Sequence, residues 1–296
     1  MKNQLKNLFL LVFFLFVTGL SLQADEGKHF LWEVKSDSTT VYILGSVHIA
    51  KESLYPLDKV IEDAYQKSDA IAVEVDAAKA NNMDLAMKVA QKATYQDGQT
   101  LEKNVSPELF ARFEASFKEA GMTKEIYNKF KPWYALMVMT LTEAQTSGYI
   151  NTEGIDMHFI NLASEDGKPI YELETVEEQL SLFDYLDNVM NEYVEYSLNE
   201  MSNSNDKIDS MFVYWKAGDT KKMFDFTMSD LRKMDNYEAF LDLFFWKRNK
   251  KMAKVIEAYI ENGTNCFVVV GSGHLLTEKG IIGLLESTKK YKIRQL

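Results

Sequence analysis

Two apolar, β-branched stretches far apart in the chain, TVYILG at 40–45 and NCFVVVG at 265–271, run into the same exit, GSVH at 45–48 and GSGH at 271–274. A stretch of four to six apolar residues with no polar alternation reads as a strand buried on both faces, which requires a sheet covered by helices on both sides. In such sheets, loops beyond the carboxyl ends of the strands point side chains into a crevice. The pair therefore restricts the fold to a layered α/β class and singles out His48 and His274 as groups at strand ends. Three residue types in these exits have distinct uses. Glycine permits a sharp turn or a close approach, serine can cap backbone groups, and imidazole can ligate a metal or move a proton.

The other elements fill in around these strands. FLWEV (30–34) and TVYILG flank the turn-forming SDS, a β-hairpin pattern. LDKVIEDAYQKS (57–68) has helical periodicity and AIAVEV (70–75) is strand-like, so strand, helix and strand read as a βαβ unit with parallel strands. GIDMHFINLASEDG (154–167) reads as a helix and KPIYEL (168–173) as a strand. TVEEQLSLFDYL (175–186) reads as a helix with Thr175 as its N-cap, and GIIGLLES (280–287) as another helix before a last strand. The expected fold is α/β (α+β), a central, largely parallel mixed sheet with flanking helices. Two long helical insertions interrupt it, at about 77–150 and 187–262. Their Met and aromatic stripes read as packing.

With 46% hydrophobic residues, the 296-residue chain can bury a large core. Lys2 and Lys6 precede an apolar run from Leu8 to Val17, too short to span a bilayer. Residues 1–24 therefore read as a secretory signal peptide, leaving one domain over 25–296 and a periplasmic or extracellular location. Leu22 stands where a small residue is preferred, so an uncleaved anchor is the alternative. Losing two lysines and no acid takes the net charge from −11 to −13. That balance argues against nucleic acid as a partner, and no other stretch would hold the mature chain in a membrane. Cys266 is the single cysteine, so no internal disulfide forms.

Four strand ends carry a group able to do chemistry: His48, Glu74, Glu174 and His274. Two imidazoles and one or two carboxylates make a divalent-metal set with open positions for water and substrate. Glu74 interrupts an apolar run, and a buried carboxylate needs a partner or a metal. Glu174 is expected as a fourth ligand or as the base for an attacking water. Arg248 and Asn249 lie in a basic helical run that reads as a solvated face, or as an arginine that clamps a carboxylate or stabilises an oxyanion. Ser46, Ser272, Asp156 and Asn249 are the expected substrate-facing residues. His29 and His158 read as incidental.

These motifs resemble the TraB/GumN family, which includes the TIKI membrane proteases. LGSVH (44–48), AVEVD (72–76), GIDMHF (154–159), GKPIYELETVEEQ (167–179), KRN (247–249) and VVVGSGHL (268–275) keep the family order across nearly the whole mature chain. One departure is LLTEKG after the second motif, where many members place a glycine sooner. The resemblance implies a fold similar to ChaN and the erythromycin esterases. It also implies that His48 and His274 are metal ligands or catalytic, with Glu74 as acidic partner, and that Glu174, Asp156 and Arg248 are further family-like positions. It implies a manganese- or cobalt-dependent peptidase, zinc being compatible with the same ligands, with a peptide or protein as substrate. The alternative it leaves is a peptide- or haem-binding protein that uses the same crevice without turnover.

Overall fold

The computed structural model describes residues 27–76, 83–185, 204–232 and 236–296. The leader at 1–24 and parts of both expected insertions lie outside them.

Six strands form one sheet: β1 (Leu31–Lys35), β2 (Thr40–Ser46), β3 (Ala70–Val73), β4 (Ile170–Glu172), β5 (Cys266–Gly271) and β6 (Lys292–Gln295), in the order β4-β3-β5-β2-β1-β6. β2, β3, β4 and β5 are mutually parallel, while β1 pairs antiparallel with both β2 and β6. The hairpin and the last strand thus form as the sequence implies. The βαβ expectation needs one amendment. β2 and β3 are parallel but not neighbours, because β5 lies between them and pairs with each. That placement follows from burial: Val41, Ile43 and Leu44 of β2 and Cys266 to Val270 of β5 are all inaccessible or nearly so. The most apolar strands occupy the middle of a sheet covered on both faces.

Helices supply the cover. On the helix Lys59–Gln66 the buried residues are Ile61, Ala64 and Tyr65, and on Ile155–Asp166 they are Ile155, Phe159, Ile160 and Ala163. Tyr65, Phe159 and Phe267 of β5 meet in one aromatic cluster, with centroids 4.7–5.8 Å apart, each ring burying a large apolar area. The helix Lys247–Glu261 adds Met252, Ile256 and Ile260 to the same core. A second apolar cluster gathers Phe113, Phe117, Tyr127 and Trp133 from the helices between β3 and β4 with Met228, Phe240 and Leu241 from those between β4 and β5. Of the described Met and aromatic side chains of the expected insertions, these pack there, while Phe212, Trp215 and Met223 join the first core.

Register brings the strand ends level. Ser46 pairs with Gly271, and Val73 pairs with both Val269 and Glu172. With β5 between β2 and β3, the exits that carry His48, Glu74 and His274 emerge side by side at one edge. Gly45 lets this happen at the first exit. A Cβ there would sit 2.5 Å from the Phe30 ring and 2.9 Å from Ser272 Oγ, so any side chain would push the two GSxH exits apart. The Gly45 carbonyl also accepts a hydrogen bond from the Trp215 indole at 2.6 Å.

Candidate active site

Strand β3 ends at Val73, earlier than the expected AIAVEV, so Glu74 leaves the ladder and turns into the crevice. Its Oε1 accepts the Gly271 backbone N–H at 2.7 Å, and its Oε2 accepts Arg248 Nη2 at 2.7 Å and Gln179 Nε2 at 3.2 Å. His274 Nε2 lies 3.7 Å from the same Oε1. Gly271 marks the point of convergence. A Cβ built there would stand 3.2 Å from Glu74 Oε1, 3.5 Å from His48 Nε2 and 3.6 Å from His274 Cδ2. The glycine of the second motif therefore keeps open a small space faced by both imidazoles and one carboxylate.

Each imidazole is anchored on its other nitrogen. His48 Nδ1 faces Asp156 Oδ1 at 3.2 Å, and that buried oxygen has no other partner among the described residues. His274 Nδ1 lies 2.6 Å from Asn249 Oδ1. Asp156 reaches His48 because Gly154, which opens its helix, packs flush on the His48 carbonyl, 2.5 Å from where a Cβ would be. A ring held by one nitrogen with the other aimed at a common point is the arrangement in which side-chain partners orient metal-ligating histidines.

The electrostatics separate the two rings. Burial works against a charge on His274 and outweighs the pull of Glu74, so its pKa falls to about 4. Burial also opposes charge on His48, but the hydrogen bond and charge of Asp156, with Glu74 behind, prevail and push it up to about 9. The His48 side chain is nevertheless 66% exposed, so solvent screens these pairings and only the upward direction carries weight. Burial likewise opposes the Glu74 carboxylate, which His274, Arg248, His48 and the Gly271 amide pull down to about 2. His274 is neutral above about 4, so near neutral pH that pull comes from Arg248, His48 and the amide.

A stability signature follows from His274. Its folded pKa is depressed from the ordinary 6.5 to about 4, so the neutral ring contributes stability that is fully present above the unfolded value. That contribution is lost as pH falls from 6.5 towards 4. Denaturant titrations near pH 7.5 and near pH 4.5 are expected to differ by on the order of 1–3 kcal/mol more in the wild type than in His274→Asn. Equal differences would show that the ring titrates alike in the folded and unfolded chains.

Arg248 organises the acids. Its Nε donates to Glu174 Oε1 at 2.9 Å and Oε2 at 3.1 Å, Nη2 donates to Glu174 Oε2 at 2.6 Å and to Glu74, and Nη1 donates to the Phe244 carbonyl at 3.0 Å. The basic run thus contains an arginine that clamps carboxylates, and they are the protein's own. Glu174, expected as a ligand or base, is 5% exposed, with both oxygens engaged by this guanidinium. Asn249 and Ser272, expected to face substrate, are buried. Asn249 lies between His274 and the Lys279 carbonyl, and Ser272 Oγ donates to the Ser46 carbonyl at 2.9 Å. Ser46 and Asp156 do line the cleft, and the buried Ser46 hydroxyl has no hydrogen-bond partner among the described residues. His29 faces Asp58 at the surface and His158 stacks on Tyr55, both outside the cleft lining.

The cleft has a volume of about 330 Å³. Ser46, His48, Glu74, Asp156 and Gln179 supply its polar lining, and Val75, Val89, Val176, Leu180 and Phe183 supply an apolar wall. Phe183 stacks on Trp133 at 4.5 Å, so the second apolar cluster backs this wall. Gln179 had no role assigned from sequence, yet it donates to Glu74 Oε2 and, at 3.3 Å, to Glu174 Oε2. The signal that could have found it is the capping box of its helix: Glu178 N–H donates to Thr175 Oγ1 and Thr175 N–H to Glu178 Oε2. That box fixes the first turn of the helix and hence the face that Gln179 presents.

Among the described residues, no three His, Cys, Asp or Glu side chains close into a metal-holding group as they stand. The donors still suit one. Two ligands each about 2.1 Å from a tetrahedral ion lie about 3.4 Å apart, and His274 Nε2 and Glu74 Oε1 are separated by 3.7 Å. Gly271 leaves a cradle between them, and His48 Nε2 faces the same cradle, 3.5 Å from where a Cβ on Gly271 would stand.

No solved structure matches the chain. Over 163 residues it is 23% identical to the uncharacterized protein YbaP of Escherichia coli (strain K12), covering 54% of this chain and 59% of YbaP. YbaP of Shigella flexneri aligns to the same extent. The chain thus spans about three fifths of the length of these curated relatives. The description of the TraB/PrgY/gumN family matches residues 30–295, a span that takes in every strand and every residue of the cleft, and the chain belongs to that family.

Proposed function

We propose that the protein is an exported metal-dependent hydrolase acting on peptides, with His48, Glu74 and His274 holding a divalent cation. The observation that carries this reading is the convergence on Gly271: His48 Nε2, Glu74 Oε1 and the His274 ring face one small space that a single methyl group would fill. Two imidazoles and a carboxylate suit zinc, manganese or cobalt and leave positions open for water and substrate. Such an ion supplies a hydroxide near neutral pH and polarises a carbonyl.

The protein's own residues do the rest. Asp156 turns the His48 ring, and Arg248 holds Glu74 by one oxygen so that the other faces the cradle. Glu174, bound twice to Arg248, acts through that arginine rather than on substrate. Valines, Leu180 and Phe183 of the same cleft would accept an apolar side chain. Export rests on Lys2, Lys6 and the apolar run Leu8–Val17.

The test is digestion of a mixed peptide library by purified protein, chelated and then reloaded with manganese, cobalt or zinc. Cleavage is expected only with metal and should fall more than about 100-fold in His48→Ala/His274→Ala, since loss of a mere supporting partner already costs 10–100-fold. Peptide capture without cleavage under all metal conditions would replace the enzyme with a binding protein.

A further inference from the structure

The Asn249 amide carries information that no motif records. Its Nδ2 lies 3.0 Å from the backbone carbonyl of Lys279, and its Oδ1 lies 2.6 Å from His274 Nδ1. A backbone carbonyl can only accept, so it must face the NH2 group. The amide oxygen is thereby turned towards His274, where it too can only accept. His274 must then carry its proton on Nδ1, leaving the Nε2 lone pair facing Glu74 and the Gly271 cradle. The Lys279 carbonyl, an atom whose role is fixed, sets the whole order of donors and acceptors.

Three local features hold this relay in place. Asp242–Trp246 is a π-helical turn immediately before Lys247–Glu261, and such insertions shift the residues that follow around the helix. Consecutive residues then face two targets, Arg248 the acids and Asn249 the imidazole. Phe245 of the same turn packs 5.3 Å from the His274 ring, a contact possible because a Cβ on Gly273 would sit 2.7 Å from its edge. Thr277 has φ of +68°, a left-handed conformation that a β-branched residue adopts only when its surroundings compel it. It closes the turn in which the Gly280 N–H donates to the Thr277 carbonyl and the Lys279 N–H to Thr277 Oγ1. The Lys279 carbonyl is thus left to Asn249.

We propose that Asn249 is a positioning residue, which the Lys279 carbonyl orients and which in turn fixes His274 as the Nδ1-protonated tautomer with Nε2 bare. The tautomer assignment rests on hydrogen bonding alone; its use in ligation rests on the metal reading above.

The test is ¹⁵N NMR of the metal-free full chain labelled at histidine, near neutral pH. His274 is expected to show a protonated Nδ1 and a bare Nε2. Asn249→Asp keeps the acceptor at Oδ1 and is expected to keep that tautomer, whereas Asn249→Leu is expected to move the population towards Nε2–H while far-ultraviolet circular dichroism stays native. Nε2–H in the wild type, or an unchanged tautomer in a folded Asn249→Leu chain, would overturn the proposal. If Asn249→Leu does not fold, the wild-type spectrum alone decides. Cobalt titration of the same samples separates the two readings. A tautomer shift with cobalt affinity lowered 10–100-fold supports both, and a tautomer shift in a chain that never binds cobalt keeps the positioning role and removes the metal.

Discussion

Arg248→Met is expected to lower folding stability by about 3–5 kcal/mol, the usual cost of removing one partner from a buried ionic group. Methionine fills much of the same space, so the effect isolates charge and hydrogen bonding from packing. In the wild type, Glu74 and Glu174 share one guanidinium at 2.6–2.7 Å, in a region where each side chain is no more than 15% exposed. Without it, two acids face one another in a poorly solvated pocket. One must take up a proton or the strand ends must separate. The deficit relative to wild type should therefore shrink as pH falls. Glu74, held down to about 2 in the folded chain, contributes stability above its unfolded value of about 4.5, and this contribution is lost in acid. Urea titrations of both chains across this range check the size and the trend. A variant as stable as wild type at neutral pH would mean that the clamp contributes nothing to the fold.

Gly271→Ala is expected to do the reverse, leaving the fold nearly intact while abolishing function. Gly271 has φ of −51°, a backbone conformation open to alanine, so its stability cost should stay within about 1 kcal/mol. The added methyl group would stand 3.2 Å from Glu74 Oε1 and 3.5 Å from His48 Nε2. It occupies the space in which an ion or a water would meet these donors. Metal affinity and hydrolysis should both fall by at least about 100-fold, beyond the usual effect of disturbing a supporting partner. Calorimetry and thermal unfolding on the same sample separate the two effects. Loss of folding together with loss of binding would assign Gly271 to packing alone.

Much of this arrangement is legible in the residues. Buried strands announce themselves as unbroken β-branched runs, and a histidine directly after one has few places to go. The interruption of AIAVEV by Glu74 marks a carboxylate that needs a partner. What the residues do not reveal is long-range. β2, the helix Lys59–Gln66 and β3 follow one another in the chain, and nothing local says that β5, nearly two hundred residues later, inserts between the two strands. The basic run around Arg248 has the look of a solvated helix face. Arg248 turns to the acids and Asn249 to His274 from a helix that follows a π turn, and neither target lies near them in the chain. The Lys279 carbonyl has no side-chain signature at all.

Everything proposed for the cleft depends on His48, Glu74 and His274 forming one metal site around Gly271. Calorimetric titration of the metal-free full chain with manganese, cobalt and zinc tests it most directly, alongside Gly271→Ala and His48→Ala/His274→Ala. One ion per chain is expected for the wild type with at least one of these metals, and none for either folded variant at the same concentrations. No binding by the wild type, or equal binding by all three chains, would contradict it.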